Sequence, residues 1–303
     1  MAEILLLLCQ NQKRRLWPLL ILAFCAPAIL HLVVFWAGIQ WNSIVMTFTN
    51  VLTGEIGFDN FKWAIEALTM ATGVDMPLAF KNTMIFFLMN ALLIPLCMFF
   101  AYLLFRKVFG HKFIRMALYL PGAIGGIMVA LLYKKFMASD GWLFYELKEL
   151  TGAENTFSML TESGLLYVLI YDILVGVGAN LLTWTSIIGR IPKDLIEYGN
   201  LEGITPAREF TTVVLPLVWP NFVNMLSIQI IGMFGATGSV LVLTEGKYGT
   251  QTLSYWMYSV VLNGNVNEYN HAAALGIIFT LLTIPLYVIF RGVMKRFGTE
   301  VEY

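Results

Sequence analysis

The chain carries little charge for its length. Only 13% of its 303 residues are Asp, Glu, Lys or Arg, whereas a soluble domain carries about 25%. Hydrophobic residues make up 58% of the chain, and its mean hydropathy is +0.74. Acidic and basic residues balance at 19 each, so no excess of charge points to a nucleic-acid partner. These values indicate a protein that is embedded in lipid.

Residues that bind metals, form disulfides or act as nucleophiles are also scarce. Cys9, Cys25 and Cys97 show neither metal-ligand nor disulfide spacing, and the three histidines are scattered. No stretch reads G-x-x-x-x-G-K-[ST], the loop that cradles nucleotide phosphates. We therefore expect this chain to be no enzyme and to bind no metal or cofactor itself.

Long apolar stretches are present instead. A helix needs about 20 mostly apolar residues to cross a bilayer. Six stretches meet or approach this length, which predicts an all-α membrane protein with six transmembrane helices. The predicted spans are residues 16–40, 82–105, 116–133, 163–189 and 270–290, and the uncharged stretch 210–244 holds the fifth span together with its flanks.

Lysine and arginine are distributed unequally along the chain. About two thirds of the 19 lie before the first span, after the second, after the fourth and after the sixth. Because cytoplasmic loops carry the excess of Lys and Arg, both termini are predicted to be cytoplasmic. This divides the chain into a cytoplasmic N-terminal stub (1–15), a six-span domain (16–291) and a cytoplasmic tail (292–303).

The loop between the fourth and fifth spans has a recognisable local pattern. Residues Lys193–Leu201 are helix formers that follow a proline. Gly203 stands where a helix ends in the left-handed conformation. Thr205 and Pro206 then match a helix N-cap and first position. The pattern predicts a short helix held in the cytoplasm, of the kind that lies in a groove on a partner protein.

The same loop resembles that of binding-protein-dependent ABC permeases. Those proteins carry E-A-A, three residues, G, nine residues and I-x-L-P. Here 197–199 read E-Y-G, Gly203 follows after three residues, and 213–216 read V-V-L-P. Tyr198 and Gly199 replace the two alanines, and Glu202 stands where the carbohydrate branch often has aspartate. We call residues 190–213 the coupling loop.

Other short stretches fit the same family. The resemblance is closest to the first permease subunit of the maltose and glycerol-phosphate type, in the carbohydrate-uptake branch, and covers most of the chain. The matching stretches are Asn82-Thr83, Leu120-Pro121, L-T-E-G at 243–246, Thr252-Leu253 and 269–274.

The resemblance implies a type I importer fold and a set of partners. These are a second, distinct permease chain, two ATPase subunits that bind ATP and Mg, an extracytoplasmic solute-binding protein and a sugar. It also implies the cytoplasmic (inner) membrane of a bacterium or archaeon. The residues expected to couple this chain to the ATPase are Glu197, Tyr198, Gly199, Glu202 and Gly203.

Polar residues inside the spans indicate a substrate path. Asp172 is the one charge in the fourth span, where a carboxylate costs about 2.5–3.5 kcal/mol to insert. It is therefore expected to accept hydrogen bonds either from substrate hydroxyls or from a neighbouring helix. Asn180 lies further along the same span and Gln229 lies in the fifth. Positions resembling the sugar-contacting ones of the maltose permease fall at Asp172, Gly176, Ala179, Gln229, Met233 and Ala236.

The cargo and the class of transporter leave alternatives open. A neutral oligosaccharide is expected over a free uronate, because an ionised Asp172 repels a carboxylate. The same machinery could carry glycerol phosphate, a polyamine or a peptide. A stand-alone secondary transporter, a channel and a membrane-embedded enzyme are the rivals from other classes.

Overall fold

The computed structural model describes residues 21–50, 53–69, 76–138, 141, 146, 149, 164–235, 238–263 and 266–297. The N-terminal stub, the last six residues and Ala236 lie outside these ranges. In the described part the regular elements are helices, and a single bridge pairs Thr49 with Ile56. The helices are α1 (Ile21–Phe48), α2 (Asp59–Thr69), α3 (Met76–Phe105), α4 (His111–Ala123), α5 (Gly126–Phe136), α6 (Gly164–Ile188), α7 (Lys193–Leu201), α8 (Pro206–Ile231), α9 (Gly238–Leu243), α10 (Leu253–Asn263) and α11 (Val266–Met294).

Five of these helices are long and apolar enough to cross a membrane, whereas the sequence predicts six spans. The five lie in α1, α3, α6, α8 and α11. The predicted third span is instead two shorter helices, α4 and α5, separated by extended backbone at Ile124 and Gly125. Three glycines at 122, 125 and 126 are poor helix formers and explain the break. The count of six and the cytoplasmic termini stay predictions.

The uncharged stretch that was predicted to hold the fifth span is interrupted as well. The helix α8 stops at Gly232, whose N–H donates to the Ile228 carbonyl at 2.9 Å. A turn follows, in which the Gly235 N–H donates to the Gly232 carbonyl at 2.9 Å, and α9 begins at Gly238. The uncharged run 210–244 therefore contains a 26-residue span and a separate six-residue helix. Irregular backbone at membrane depth is tolerated where it is buried in protein or lines a cavity.

The chain divides into two compact units. The first comprises residues 1–66 and 264–277. Within it the Asn60 side-chain amide donates to the carbonyls of Thr47 at 2.9 Å and Thr49 at 3.0 Å. The Asn270 amide donates to the Thr49 carbonyl at 2.7 Å. These bonds fix the end of α1 against α2 and the start of α11.

The second unit, residues 67–263 and 278–303, contains the main core. Its largest cluster packs α3 against α6 and α8 around fully buried Trp184, Tyr102 and Leu181. Glycine favours the close approach of α3 and α6, because a Cβ at Gly176 would lie 3.0 Å from Leu93 Cδ2 and the leucine would have to shift. The coupling loop and the predicted substrate path both lie in this unit.

Candidate functional site

The coupling loop folds as its sequence predicts. The helix α7 spans Lys193–Leu201, and Gly203 adopts the left-handed conformation with φ +71°. The Ile204 N–H donates to the Gly199 carbonyl at 3.2 Å, which is the closing bond of a glycine C-cap. Thr205 takes the extended N-cap conformation with Pro206 at the first helical position, but its hydroxyl makes no capping bond.

Gly199 lies against the residue that follows the same cap. A Cβ at this position would lie 2.7 Å from Ile204 Cδ1. The contact arises because the residue after the cap packs back on the last turn of the helix. The Ile204 side chain would therefore have to shift to admit even the alanine that the family pattern has at this position, where this chain has glycine.

The remaining coupling residues point outward from α7. Glu197 and Glu202 are exposed. Leu195, Tyr198 and Leu201 are 45%, 64% and 87% exposed, while Ile196 is buried. The outward face of α7 therefore combines apolar and acidic side chains. Exposed apolar surface of this kind is typical of a protein-docking site.

Asp172 bonds to a neighbouring helix. Its Oδ2 accepts a hydrogen bond from Ser239 Oγ on α9 at 3.0 Å. Among the described residues no cation lies within ion-pair distance of the carboxylate. One of the two partners expected for Asp172, a neighbouring helix, is therefore present, and it uses one oxygen of the carboxylate.

Gln229 and Met233 line a cavity together. It is closed by α3 on one side and by the end of α8 on the other, and its volume is about 20 Å³. That is room for roughly one water molecule, so in this conformation the cavity does not admit a sugar. Its lining residues are Thr83, Phe86, Phe87, Asn90, Gln229, Gly232, Met233 and Thr252.

The other predicted path residues do not line this cavity. Gly176 packs beneath Leu93. The Asn180 amide donates to the Gly176 carbonyl of its own helix at 2.9 Å. Ala179 is exposed, and Ala236 lies outside the described residues. The structure therefore brings Gln229 and Met233 together at the cavity but not the predicted path residues of α6.

A turn closes the end of the cavity that is predicted to be extracytoplasmic. The Asn82 amide donates to the carbonyls of Gly249 and Gln251, both at 2.8 Å. The Leu253 N–H donates to Thr83 Oγ1 at 3.0 Å. These are residues of the short stretches that resemble the family, so those stretches hold the turn 244–252 onto the start of α3.

Comparison with known proteins decides the family. A family model described as "Binding-protein-dependent transport system inner membrane component" matches residues 82–302. The chain belongs to that family. The prediction of an ABC-importer permease is therefore confirmed, and the family is one of inner-membrane components.

Curated relatives of this permease cover most of its length. The arabinooligosaccharides transport system permease protein AraP of Halalkalibacterium halodurans is 26% identical over 270 residues, which are 87% of this chain and 84% of AraP. The probable starch degradation products transport system permease protein AmyD of Thermoanaerobacterium thermosulfurigenes is 28% identical over 188 residues. That match spans 61% of this chain and 63% of AmyD.

A solved structure shares the fold of the permease. It is a chain of a bacterial ABC transporter involved in the import of the acidic polysaccharide alginate. The TM-score is 0.76 at 21% identity, and the match covers 94% of this chain and 100% of that one. The predicted importer-permease fold is thus confirmed, while the number of spans stays a prediction.

Sequence reasoning missed two features of the permease. Asn90 reaches the cavity from the middle of the second span, where a lone amide was a detectable signal. Glu209 is fully buried at the start of α8 and pairs with Arg106, whose Nη1 lies 3.1 Å from Glu209 Oε2. Arg106 lies in a loop whose basic residues are explained by the predicted cytoplasmic position of that loop. Nothing in the sequence therefore distinguishes Arg106 from them.

Proposed function

We propose that this chain is one of two permease subunits of an ATP-driven importer for an oligosaccharide. A solute-binding protein delivers the sugar outside the membrane, and two ATPase subunits bind and hydrolyse ATP with Mg on the cytoplasmic side. Family membership and the printed functions of AraP and AmyD support this proposal. The membrane would be the cytoplasmic membrane of a bacterium or archaeon.

The observation that carries the proposal is the outward face of α7. Leu195, Tyr198 and Leu201 project from a short helix that Gly203 and the Ile204 contact hold in place. Such a face fits a groove on a partner, with the exposed acids Glu197 and Glu202 at its rim. The partner in this proposal is the ATPase subunit.

A neutral oligosaccharide is the proposed cargo. The second oxygen of Asp172 is left to accept from a sugar hydroxyl, and the carboxylate repels an acid. Gln229 and Asn90 supply amides that suit neutral hydroxyls. Relatives such as the sn-glycerol-3-phosphate permease protein UgpA of Yersinia pseudotuberculosis, 26% identical over 190 residues, make a phosphate ester the cargo to test against it.

The test is uptake by the complete complex in liposomes. The complex, with its binding protein and ATP, is given neutral oligosaccharides, an oligouronate and glycerol 3-phosphate. Stimulated ATP hydrolysis with neutral sugars alone supports the cargo; stimulation by the charged solutes alone refutes it. Uptake without any ATPase subunit would refute the importer itself.

The docking face is tested by paired alanine variants. Tyr198→Ala should weaken assembly with the ATPase, because it removes an exposed anchor from α7. Phe113→Ala is the matched control: it removes an aromatic ring that is 73% exposed on α4, next to a loop predicted to be cytoplasmic. Equal losses in the two variants would count against α7 as the docking helix.

A further inference from the structure

A buried carboxylate lies directly behind the coupling loop. Glu209 is in the first turn of α8 and is 0% exposed. Its Oε2 lies 3.1 Å from Arg106 Nη1, and its Oε1 lies 3.0 Å from Tyr102 Oη. Tyr102 lies in the last turn of α3, at the end that is predicted to be cytoplasmic. Arg106 is the residue that follows this helix.

The tyrosine hydroxyl also reaches the backbone of α8. Tyr102 Oη lies 2.9 Å from the Pro206 carbonyl oxygen. The hydroxyl has one proton, so it donates to either Pro206 or Glu209 at any moment. We call these four residues, Tyr102, Arg106, Pro206 and Glu209, the clamp.

Aromatic packing reinforces the clamp. The ring of Phe210 lies 5.1 Å from that of Tyr102 and meets the ring of Phe99 edge-on at 5.8 Å, measured between centroids. Both partners are on α3. The start of α8 is thus held to α3 by an ion pair, hydrogen bonds and tilted and edge-on ring contacts together.

The clamp joins the coupling loop to a second span. Only residues 202–205 separate α7 from α8, and the bond from Ile204 to Gly199 stiffens this connection. A displacement of α7 therefore reaches the first turn of α8. Because separating the fully buried Glu209 carboxylate from the partly exposed Arg106 would leave a buried charge unpaired, that displacement is passed on to α3.

Both helices line the same cavity. Phe86 and Asn90 line it from α3, and Gln229 and Met233 line it from the end of α8 and the turn that follows. Asn90 lies about 18 Å along α3 from Tyr102 of the clamp, taking 1.5 Å of rise per residue. Because the clamp joins the two helices, a displacement of one wall of the cavity is accompanied by a displacement of the other.

We propose that Glu209 is a positioning residue that transmits movement of α7 to α3, so that ATP-driven motion reaches both walls of the cavity. This rests on the proposed function, because the movement originates in the ATPase. Without the clamp, α7 would move α8 alone. ATP hydrolysis would then displace only the α8 wall of the cavity, and less sugar would be imported per ATP.

The experiment measures sugar imported per ATP hydrolysed by the complete complex in liposomes. Glu209→Gln keeps the shape of the side chain but removes the ion pair. Tyr102→Phe removes the hydroxyl and keeps the ring, and the Pro206 carbonyl retains its helical partner, the Phe210 N–H. Import per ATP should fall about tenfold in Glu209→Gln and about fivefold in Tyr102→Phe, with binding-protein-stimulated hydrolysis retained.

Tyr119→Phe is the matched control. It removes a tyrosine hydroxyl that bonds Thr185 Oγ1 at 2.6 Å between α4 and α6, outside the clamp. A purely structural clamp would lower import and hydrolysis together and leave their ratio unchanged, as in Tyr119→Phe. If Glu209→Gln does not assemble, Tyr102→Phe decides, and a ratio equal to that of the control overturns the proposal. Failure of the unmodified complex to import with ATP would instead count against the proposed function.

Discussion

Replacing Gly203 with alanine isolates the left-handed cap of α7 from every side-chain contact. An added Cβ at Gly203 would meet no atom within 4 Å, so crowding contributes nothing. The cost comes from the backbone, because φ is +71° and an alanine there is strained by about 1–2 kcal/mol. That energy is a factor of about 5 to 30 in the population of the capped conformation.

The loss should be visible because α7 is short, although its Ile196 packs in the main core. It has nine residues, and isolated helices shorter than about 12 residues are marginal in water. Hydrogen exchange at the Ile204 amide, which donates to Gly199, should accelerate in Gly203→Ala by up to that factor. In the complex, the apparent affinity for the ATPase subunit should fall in proportion to the capped fraction.

Gly203→Asn is the control for this prediction. Asparagine tolerates the left-handed conformation better than other residues that carry a side chain. It should therefore keep most of the amide protection and most of the affinity. If asparagine and alanine weaken the complex equally, the loss arises from adding a side chain and not from the backbone. If alanine changes neither exchange nor affinity, the cap does not position α7.

Three further substitutions test the membrane part of the site. Gly176→Val should destabilise the packing of α3 on α6 by about 1–3 kcal/mol, because its Cβ would be 3.0 Å from Leu93 Cδ2; thermal unfolding in detergent measures this. Asn82→Ala removes the donor to two carbonyls of the turn 244–252, at about 1–3 kcal/mol, and should increase protease cleavage in that turn. Asp172→Asn can still accept from Ser239 and should raise uptake of an oligouronate relative to a neutral sugar; an unchanged ratio would contradict the charge argument.

Local chemistry made the coupling loop predictable. A glycine stop, a proline start and helix formers between them act within a dozen residues, so α7 and the left-handed Gly203 followed from the sequence. Composition likewise indicated a membrane protein. The break between α4 and α5 was harder to predict. Hydropathy carries no information on backbone conformation, and the stretch 116–133 remains apolar across Gly125.

The clamp joins residues that are far apart in the chain, which is why the sequence did not predict it. Glu209 and Arg106 are 103 residues apart, and each has an ordinary local explanation. An acid suits the first turn of a helix, and a base suits a cytoplasmic loop. Only the packing of α3 on α8 shows that the two groups share one buried site.

The residues of the predicted substrate path fall at two separate places in the structure for a related reason. A helical period of four residues predicts that Gln229 and Met233 share a face, as Asp172 and Gly176 do on α6, although Met233 lies in the turn after α8. Periodicity places each pair on a face but does not say what that face meets. In the structure the α8 face meets the cavity, whereas the α6 face meets Ser239 of α9 and Leu93 of α3. Asp172 is held to α9 through one oxygen and keeps the other for a sugar hydroxyl, so Asp172→Asn tests whether the α6 face takes part in cargo selection.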